Sequence, residues 1–87
     1  MSGAGARDAA AQDAARELTL MLIYLTSWEE GPDRARRCWK GFRFEILDEL
    51  AEQGLVEDSR RAKSLYLTPD GQRRARELLA GHGFDVE

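Results

Sequence analysis

The chain has 87 residues, enough for one domain, and its 43% hydrophobic and 33% charged residues are typical of a soluble globular protein. Its formal net charge of −3 argues against strong binding to nucleic acid through overall charge, because such binding needs cations that face phosphates. A core this small is marginal alone, and association of copies is a common remedy.

Side chains that carry catalysis or bind metals are scarce. Cys38 is the single cysteine and His82 the single histidine, and nothing in the sequence pairs them. A lone cysteine excludes an internal disulfide and lacks partners for a structural zinc site, and there is no glycine-rich phosphate loop. We therefore expect no enzyme activity, no cofactor and no metal, with Cys38 a reduced, partly buried thiol and His82 a solvated residue.

The start of the chain carries no membrane signal. No run approaches the roughly 20 apolar residues that cross a bilayer, and no signal-peptide core is present. We expect no membrane partner and a cytoplasmic location. Residues 1–7 are predicted to be a flexible N-terminus, and helix is predicted from about Asp8, where alanines favour it.

Residues 16–28 form the most apolar stretch and predict a buried helix. Leu18, Leu22 and Leu25 fall at i, i+4 and i+7 and share one face. Apolar residues on other faces imply burial on more than one side. Either the other helices cover this stretch, or a second copy of the chain packs against it. The second alternative makes the protein a homodimer, whose interface is Leu18, Met21, Leu22, Tyr24 and Leu25.

Gly31-Pro32 is predicted to end this helix, and a basic run follows it. Residues near 33–39 are predicted as a short helix that Gly41 ends. The cations of the run are Arg34, Arg36, Arg37 and Lys40, with Arg43 just beyond.

Aromatic residues are interleaved with these cations. We expect Trp39, Phe42 and Phe44 to anchor the core while the arginines pair with the acids of residues 45–52. Arginine with aromatic residues also stacks on single-stranded bases, so a binding alternative stays open.

An amphipathic helix is predicted over residues 44–53. Its inward stripe is Phe44, Leu47, Leu50 and Ala51, at helical spacing. Gly54 supplies the left-handed residue that ends it. Its polar face carries the carboxylates Glu45, Asp48, Glu49 and Glu52.

A hairpin and a last helix follow. Strands are predicted from Leu55 and over residues 63–67, with Leu65 and Leu67 on one face and Tyr66 on the other. Thr68-Pro69-Asp70 then begins a helix at residues 72–80, and Gly71 tolerates close packing.

This order of elements predicts an α+β, mainly helical, winged-helix-like fold with three to four helices and a two-stranded β-hairpin. It fills a single domain over residues 8–81, followed by a tail at residues 82–87.

Two motifs carry a resemblance to known families. Gly54-Leu55-Val56 and Tyr66-Leu67-Thr68-Pro69-Asp70-Gly71 resemble the G-L-[VI] step and the Y-x-L-T-x-x-G string of winged-helix regulators of the MarR and PadR type. Trp39-Lys40-Gly41-Phe42 and Lys63-Ser64 extend the likeness over residues 18–80 to a small bacterial family of unknown function. Both resemblances imply a compact winged-helix-like domain, and the second implies no activity.

The predicted nucleic-acid contacts conflict with the acidic helix at 44–53. A groove-reading helix with four carboxylates meets phosphate repulsion, whereas a wing reaches phosphates in the regulators that this chain resembles. The candidate contacts are Arg60, Arg61, Lys63, Arg37, Lys40 and Arg43. Glu57 and Asp58 adjoin the hairpin tip, so a merely solvated turn is the competing interpretation.

Two functions of different classes remain open. One is a nucleic-acid-binding transcriptional regulator, a homodimer on double-stranded DNA, that acts through the basic hairpin tip. The other is a protein-interaction or dimerisation module without DNA binding. A salt-dependent affinity for DNA distinguishes the two.

Overall fold

The computed structural model describes residues 2–32, 34–59 and 61–85, with side chains from residue 9 onwards. The elements are α1 (Ser2–Thr26), β1 (Trp28–Glu30), β2 (Ala35–Trp39), α2 (Phe44–Glu52), β3 (Val56–Glu57), β4 (Ser64–Leu67) and α3 (Pro69–Gly81). The strands form an antiparallel sheet in the order β1-β2-β4-β3. The predicted α+β class is confirmed for the described residues, and the arrangement is consistent with a small winged-helix-like fold.

The three helices lie on one face of the sheet. Cys38, Leu65 and Leu67 point into the core from β2 and β4, and Val56 joins them from β3. Burial of each large apolar side chain contributes about 1.5–3 kcal/mol, so this single cluster holds the fold together. The helices supply Leu20, Met21, Ile23, Tyr24, Leu47, Leu50, Ala75 and Leu79.

Helix α1 differs from its predicted bounds at both ends. It begins at Ser2 rather than near Asp8, because a helix propagates easily through alanine once a turn has formed. It ends at Thr26, well before Gly31. There the Thr26 hydroxyl donates to the Leu22 carbonyl and the Ser27 hydroxyl donates to the Tyr24 carbonyl, which satisfies carbonyls of the last turn.

The predicted short helix at residues 33–39 is wrong, because this segment is strand β2. Gly31 (φ 80°) and Arg34 (φ 58°) adopt left-handed conformations in the preceding turn, and the Arg34 amide donates to the Gly31 carbonyl. The turn folds β2 back on β1 as an antiparallel pair, the first hairpin. Its cross-strand partners are Trp28 with Arg37, Glu29 with Arg36, and Glu30 with Ala35.

The predicted hairpin between Gly54 and Thr68 is confirmed as β3 and β4, the second hairpin. Gly54 has the left-handed φ of 75° that ends α2. The Thr68 hydroxyl accepts from the Gly71 amide and donates to the Gly54 carbonyl, so one side chain caps α3 and ties it to the end of α2. A Cβ at Gly71 would lie only 1.9 Å from the Leu55 carbonyl oxygen, which explains the glycine.

No helix in the described part of the chain is both long enough and apolar enough to cross a membrane.

Candidate functional site

Residues 58–63 connect β3 to β4 and form the wing, the predicted tip of the second hairpin. Arg61 and Lys63 are exposed, and neither forms an ion pair with another described residue. Arg60 lies outside the described residues. Two cations of the wing therefore face solvent with their charges uncompensated by a close partner.

Lys40 supports the base of the wing from inside. Its ammonium nitrogen lies 2.5 Å from Asp58 Oδ1 and donates to the Ser59 carbonyl, and both side chains of the ion pair are largely buried. The Nζ–Oδ1 contact lacks hydrogen-bond geometry, so charge attraction is what compensates this buried carboxylate oxygen. Lys40 and Asp58 also line a cavity of about 360 Å³ with Phe44 and Asp48.

The basic run does not pair with the acids of residues 45–52 as predicted. Arg37 Nη1 lies 2.9 Å from Glu30 Oε2, and Arg36 Nη2 lies 3.7 Å from Glu29 Oε1. Both pairs form because the first hairpin places these acids on the neighbouring strand. Among the described cations of the run, Arg43 is the one that pairs with an acid of α2, Glu45, with Nε 3.9 Å from Oε2, and both side chains are highly exposed.

Arg37 is fixed across the outer side of the sheet. It donates from Nη1 to both Glu30 oxygens at 2.9 and 3.1 Å and from Nε to the Ser64 hydroxyl at 2.6 Å. Its guanidinium carbon lies 5.2 Å from the centre of the Tyr66 ring. The hydrogen bonds with Glu30 raise the pKa of Arg37 above its usual range, so its charge is permanent.

Two of the three expected aromatic anchors are outside the core. Trp39 is 63% exposed and Phe44 is 74% exposed, while Phe42 packs partly buried against the core. Trp39 alternates with buried Cys38 along β2, and this alternation turns the indole away from the helices. Its ring centroid lies 5.3 Å from that of Trp28, at an interplanar angle of 45°.

Helix α2 has the predicted inward residues Leu47 and Leu50, but Ala51 is exposed like Phe44. Glu49 accepts from Arg16 at 2.8 Å and from Gln12 at 2.9 Å, both on α1. Burial lowers the pKa of Arg16, but its hydrogen bonds with Glu49 and Asp13 outweigh that effect and raise it.

The remaining acids of α2, Glu45, Asp48 and Glu52, are exposed, so its outer side stays negative. The first hairpin precedes α2 where a helix-turn-helix motif would place a helix.

Three leucines of α1 form an exposed row, the leucine stripe. Leu18, Leu22 and Leu25 are 56%, 48% and 52% exposed. Met21 and Tyr24, predicted with them as interface residues, are buried in the core of the chain itself. The surface available to a second copy is therefore narrower than the sequence suggested.

Comparison with known proteins identifies the family. Residues 11–85 match the model of a family described as "Domain of unknown function (DUF6429)". The chain belongs to this family. The chain is also 40% identical over 69 residues to "Uncharacterized protein y4hR" of Sinorhizobium fredii (strain NBRC 101917 / NGR234). The aligned region covers 78% of this chain and 86% of that protein. No solved structure gives a significant match.

The DUF6429 match runs from the middle of α1 to the end of the described chain, so it includes both hairpins and the wing. Sequence reasoning found the wing cations and placed Tyr66 on the face opposite Leu65 and Leu67, but it did not place Trp28 on that same outer side of the sheet. The signal that could have revealed this outer side is the alternation along residues 35–39, where Cys38 points inward and Arg37 and Trp39 point outward.

Proposed function

We propose that this protein binds nucleic acid through the wing, with Arg61 and Lys63 contacting phosphates. The supporting observation is that both cations are exposed and lack an ion pair among the described residues. Arg60 is next to Arg61 in the sequence. Cations without an internal partner are the ones that release counterions when they meet phosphate, and this release drives binding.

The other cations predicted at the site take different roles. Arg37 and Lys40 are engaged by Glu30 and Asp58, so they shape the surface beside the wing. Arg43 is highly exposed and supplies a peripheral contact. The exposed carboxylates of α2 repel phosphates, so α2 does not read the major groove in this proposal. The nucleic acid contacts the wing instead, and this binding takes place in the cytoplasm.

Fluorescence anisotropy with labelled DNA between about 50 and 200 mM salt tests the proposal. Replacing Arg61 and Lys63 with alanine removes two phosphate contacts. The slope of log affinity against log salt should fall in magnitude by about 1.4 for single strands or 1.8 for duplex. Arg73→Ala with Arg76→Ala is the matched control, since it removes equal charge from α3. Absence of binding to any nucleic acid at 50 mM salt would end the proposal.

A second function, homodimerisation, is favoured by the leucine stripe. Ala11, Ala15, Leu18, Leu22 and Leu25 follow one another at spacings of four, three, four and three residues, which is the heptad pattern of helices that pack together. The α1 positions beside this row are uncharged, so the two copies of α1 can meet about a two-fold axis without repulsion between them, and Arg43 and Glu45 adjoin only the alanine end of the row. The α1 positions beside the row are Gln12, Ala14, Thr19, Met21 and Thr26.

Light scattering after size-exclusion chromatography tests the dimer. Leu22→Glu places two carboxylates at the centre of the seam and should convert a dimer into a monomer. Ala80→Glu is the control, because it places the same charge on the exposed side of α3. Leu78→Glu would not serve, because Leu78 packs against the core. A wild-type protein that stays monomeric at high concentration would contradict the dimer.

A further inference from the structure

The side of the sheet that faces away from the helices, the open face, has an unusual composition. Strand pairing places Trp28, Arg37, Tyr66 and Glu57 directly opposite one another across β1, β2, β4 and β3. Cross-strand partners point to the same side of a sheet, so these four side chains form one row. Trp39 and Ser64 form the next row, toward the wing.

Two ring contacts lie within these rows. Trp39 and Trp28 touch, and Arg37 lies over the Tyr66 ring. Trp39 alone leaves 63% of its surface in water. Lone exposed apolar residues are common, but an exposed indole that adjoins a second, partly exposed indole is typical of an interaction surface.

The charges of the open face change along the strands, from acidic side chains at one end to the cations of the wing at the other. Glu30 lies at the end away from the wing and is bonded to Arg37, and Glu57 lies on the edge strand β3. At the other end, the Lys40 amide donates to the Lys63 carbonyl, which brings the last residue of the wing close to Trp39. The most exposed indole is therefore the one nearest to the unpaired cations of the wing.

This combination fits unpaired nucleobases. Every base has a flat π surface that stacks on an indole ring, and proteins that bind single strands join such rings to a cationic track for the backbone. Open antiparallel sheets that present aromatic residues bind single-stranded RNA in this way. A duplex conceals the faces of its bases, so it gains nothing from Trp39.

We infer that the open face binds single-stranded nucleic acid, with Trp39 and Trp28 stacking on bases while Arg61 and Lys63 hold the adjoining phosphates. The inference rests on the proposed function and narrows its ligand from nucleic acid in general to unpaired strands. Arg37, held in place by Glu30 and Ser64, extends this surface toward Tyr66.

Intrinsic fluorescence measures this directly, because Trp28 and Trp39 are the two tryptophans of the chain. Titration with oligothymidine should quench the emission, and a hairpin duplex of equal charge should bind more weakly. Trp39→Ala, followed by anisotropy, should weaken single-strand binding about 10-fold, the loss of one stacked base. Trp39→Phe keeps a ring and should retain most of the affinity. Phe84→Ala removes a comparably exposed ring beyond the end of α3 and should change nothing.

The outcomes separate the two proposals. Single-strand binding that depends on Arg61 and Lys63 but is unchanged in Trp39→Ala, or duplex binding as tight as single-strand binding, overturns the open-face inference and leaves the wing proposal standing. Failure of both ligands to bind at low salt overturns both. Quenching in the wild-type protein needs no variant, so a poorly folded Trp39→Ala does not prevent the test.

Discussion

The two hairpins of this domain use the same residue types for different purposes. In the first hairpin, Arg36 and Arg37 lie within a strand and face Glu29 and Glu30 of the neighbouring strand. In the second hairpin, Arg61 and Lys63 lie in or beside the turn and have no ion-pair partner in the described chain. Arginines inside a ladder stabilise the sheet, whereas cations at its tip stay available to an external anion.

Arg34 shows the same difference between ladder and turn cations within the first hairpin. It lies in the turn, is exposed, and forms no ion pair with a described residue. Position relative to the ladder, rather than density of positive charge in the sequence, therefore decides which cations are free. Within the densest basic run of the chain, Arg36, Arg37 and Lys40 are for this reason paired with Glu29, Glu30 and Asp58.

The close contact of α3 with the second hairpin gives the largest expected effect. In an open helix Gly→Ala gains about 1 kcal/mol, but a Cβ at Gly71 meets the Leu55 carbonyl at 1.9 Å, and that backbone atom cannot rotate away. We expect Gly71→Ala to lower the free energy of unfolding by about 2–3 kcal/mol in urea denaturation. Gly41→Ala, which meets nothing within 4 Å, is the control. Equal stability of the two variants would show that α3 does not fix this hairpin.

The second hairpin was predictable because its signals are local. Gly54 ends a helix, Thr68-Pro69 begins one, and the strand between them alternates with Leu65 and Leu67 inward. Each of these signals depends only on neighbouring residues.

The first hairpin was not predictable in the same way. Its inward positions include Arg36, whose guanidinium lies 4.6 Å from the Tyr24 ring centre and donates to the Ser27 hydroxyl. A polar residue at an inward position disguises the two-residue period, and arginine has good helix propensity. The open face was missed together with the first hairpin. Which residues belong to this face depends on which side of the sheet the helices cover, and the sequence does not show that locally.

A bridge between the two hairpins gives an intermediate effect. Lys40 follows β2 and contacts Asp58 of the wing, and both groups are largely buried. Lys40→Met leaves a carboxylate without its counter-charge, which we expect to cost about 1–2 kcal/mol in thermal or urea unfolding. Lys40→Met combined with Asp58→Asn should recover part of this loss. If the two single changes simply add, the pair contributes no coupling and the hairpins are not joined here.

The smallest effect tests the division between ladder and tip cations. Arg36→Ala removes a cation over Tyr24, a hydrogen bond to Ser27 and a long ion pair with Glu29, which together should cost about 1 kcal/mol of unfolding free energy. Arg61→Ala should stay within about 0.5 kcal/mol of the wild-type protein, because surface residues without partners contribute little to stability. Affinity for single-stranded DNA should show the reverse order, with Arg61→Ala weaker and Arg36→Ala unchanged. A common ranking in both measurements would mean that the charge of the chain acts as a whole and that position in the hairpin does not decide its role.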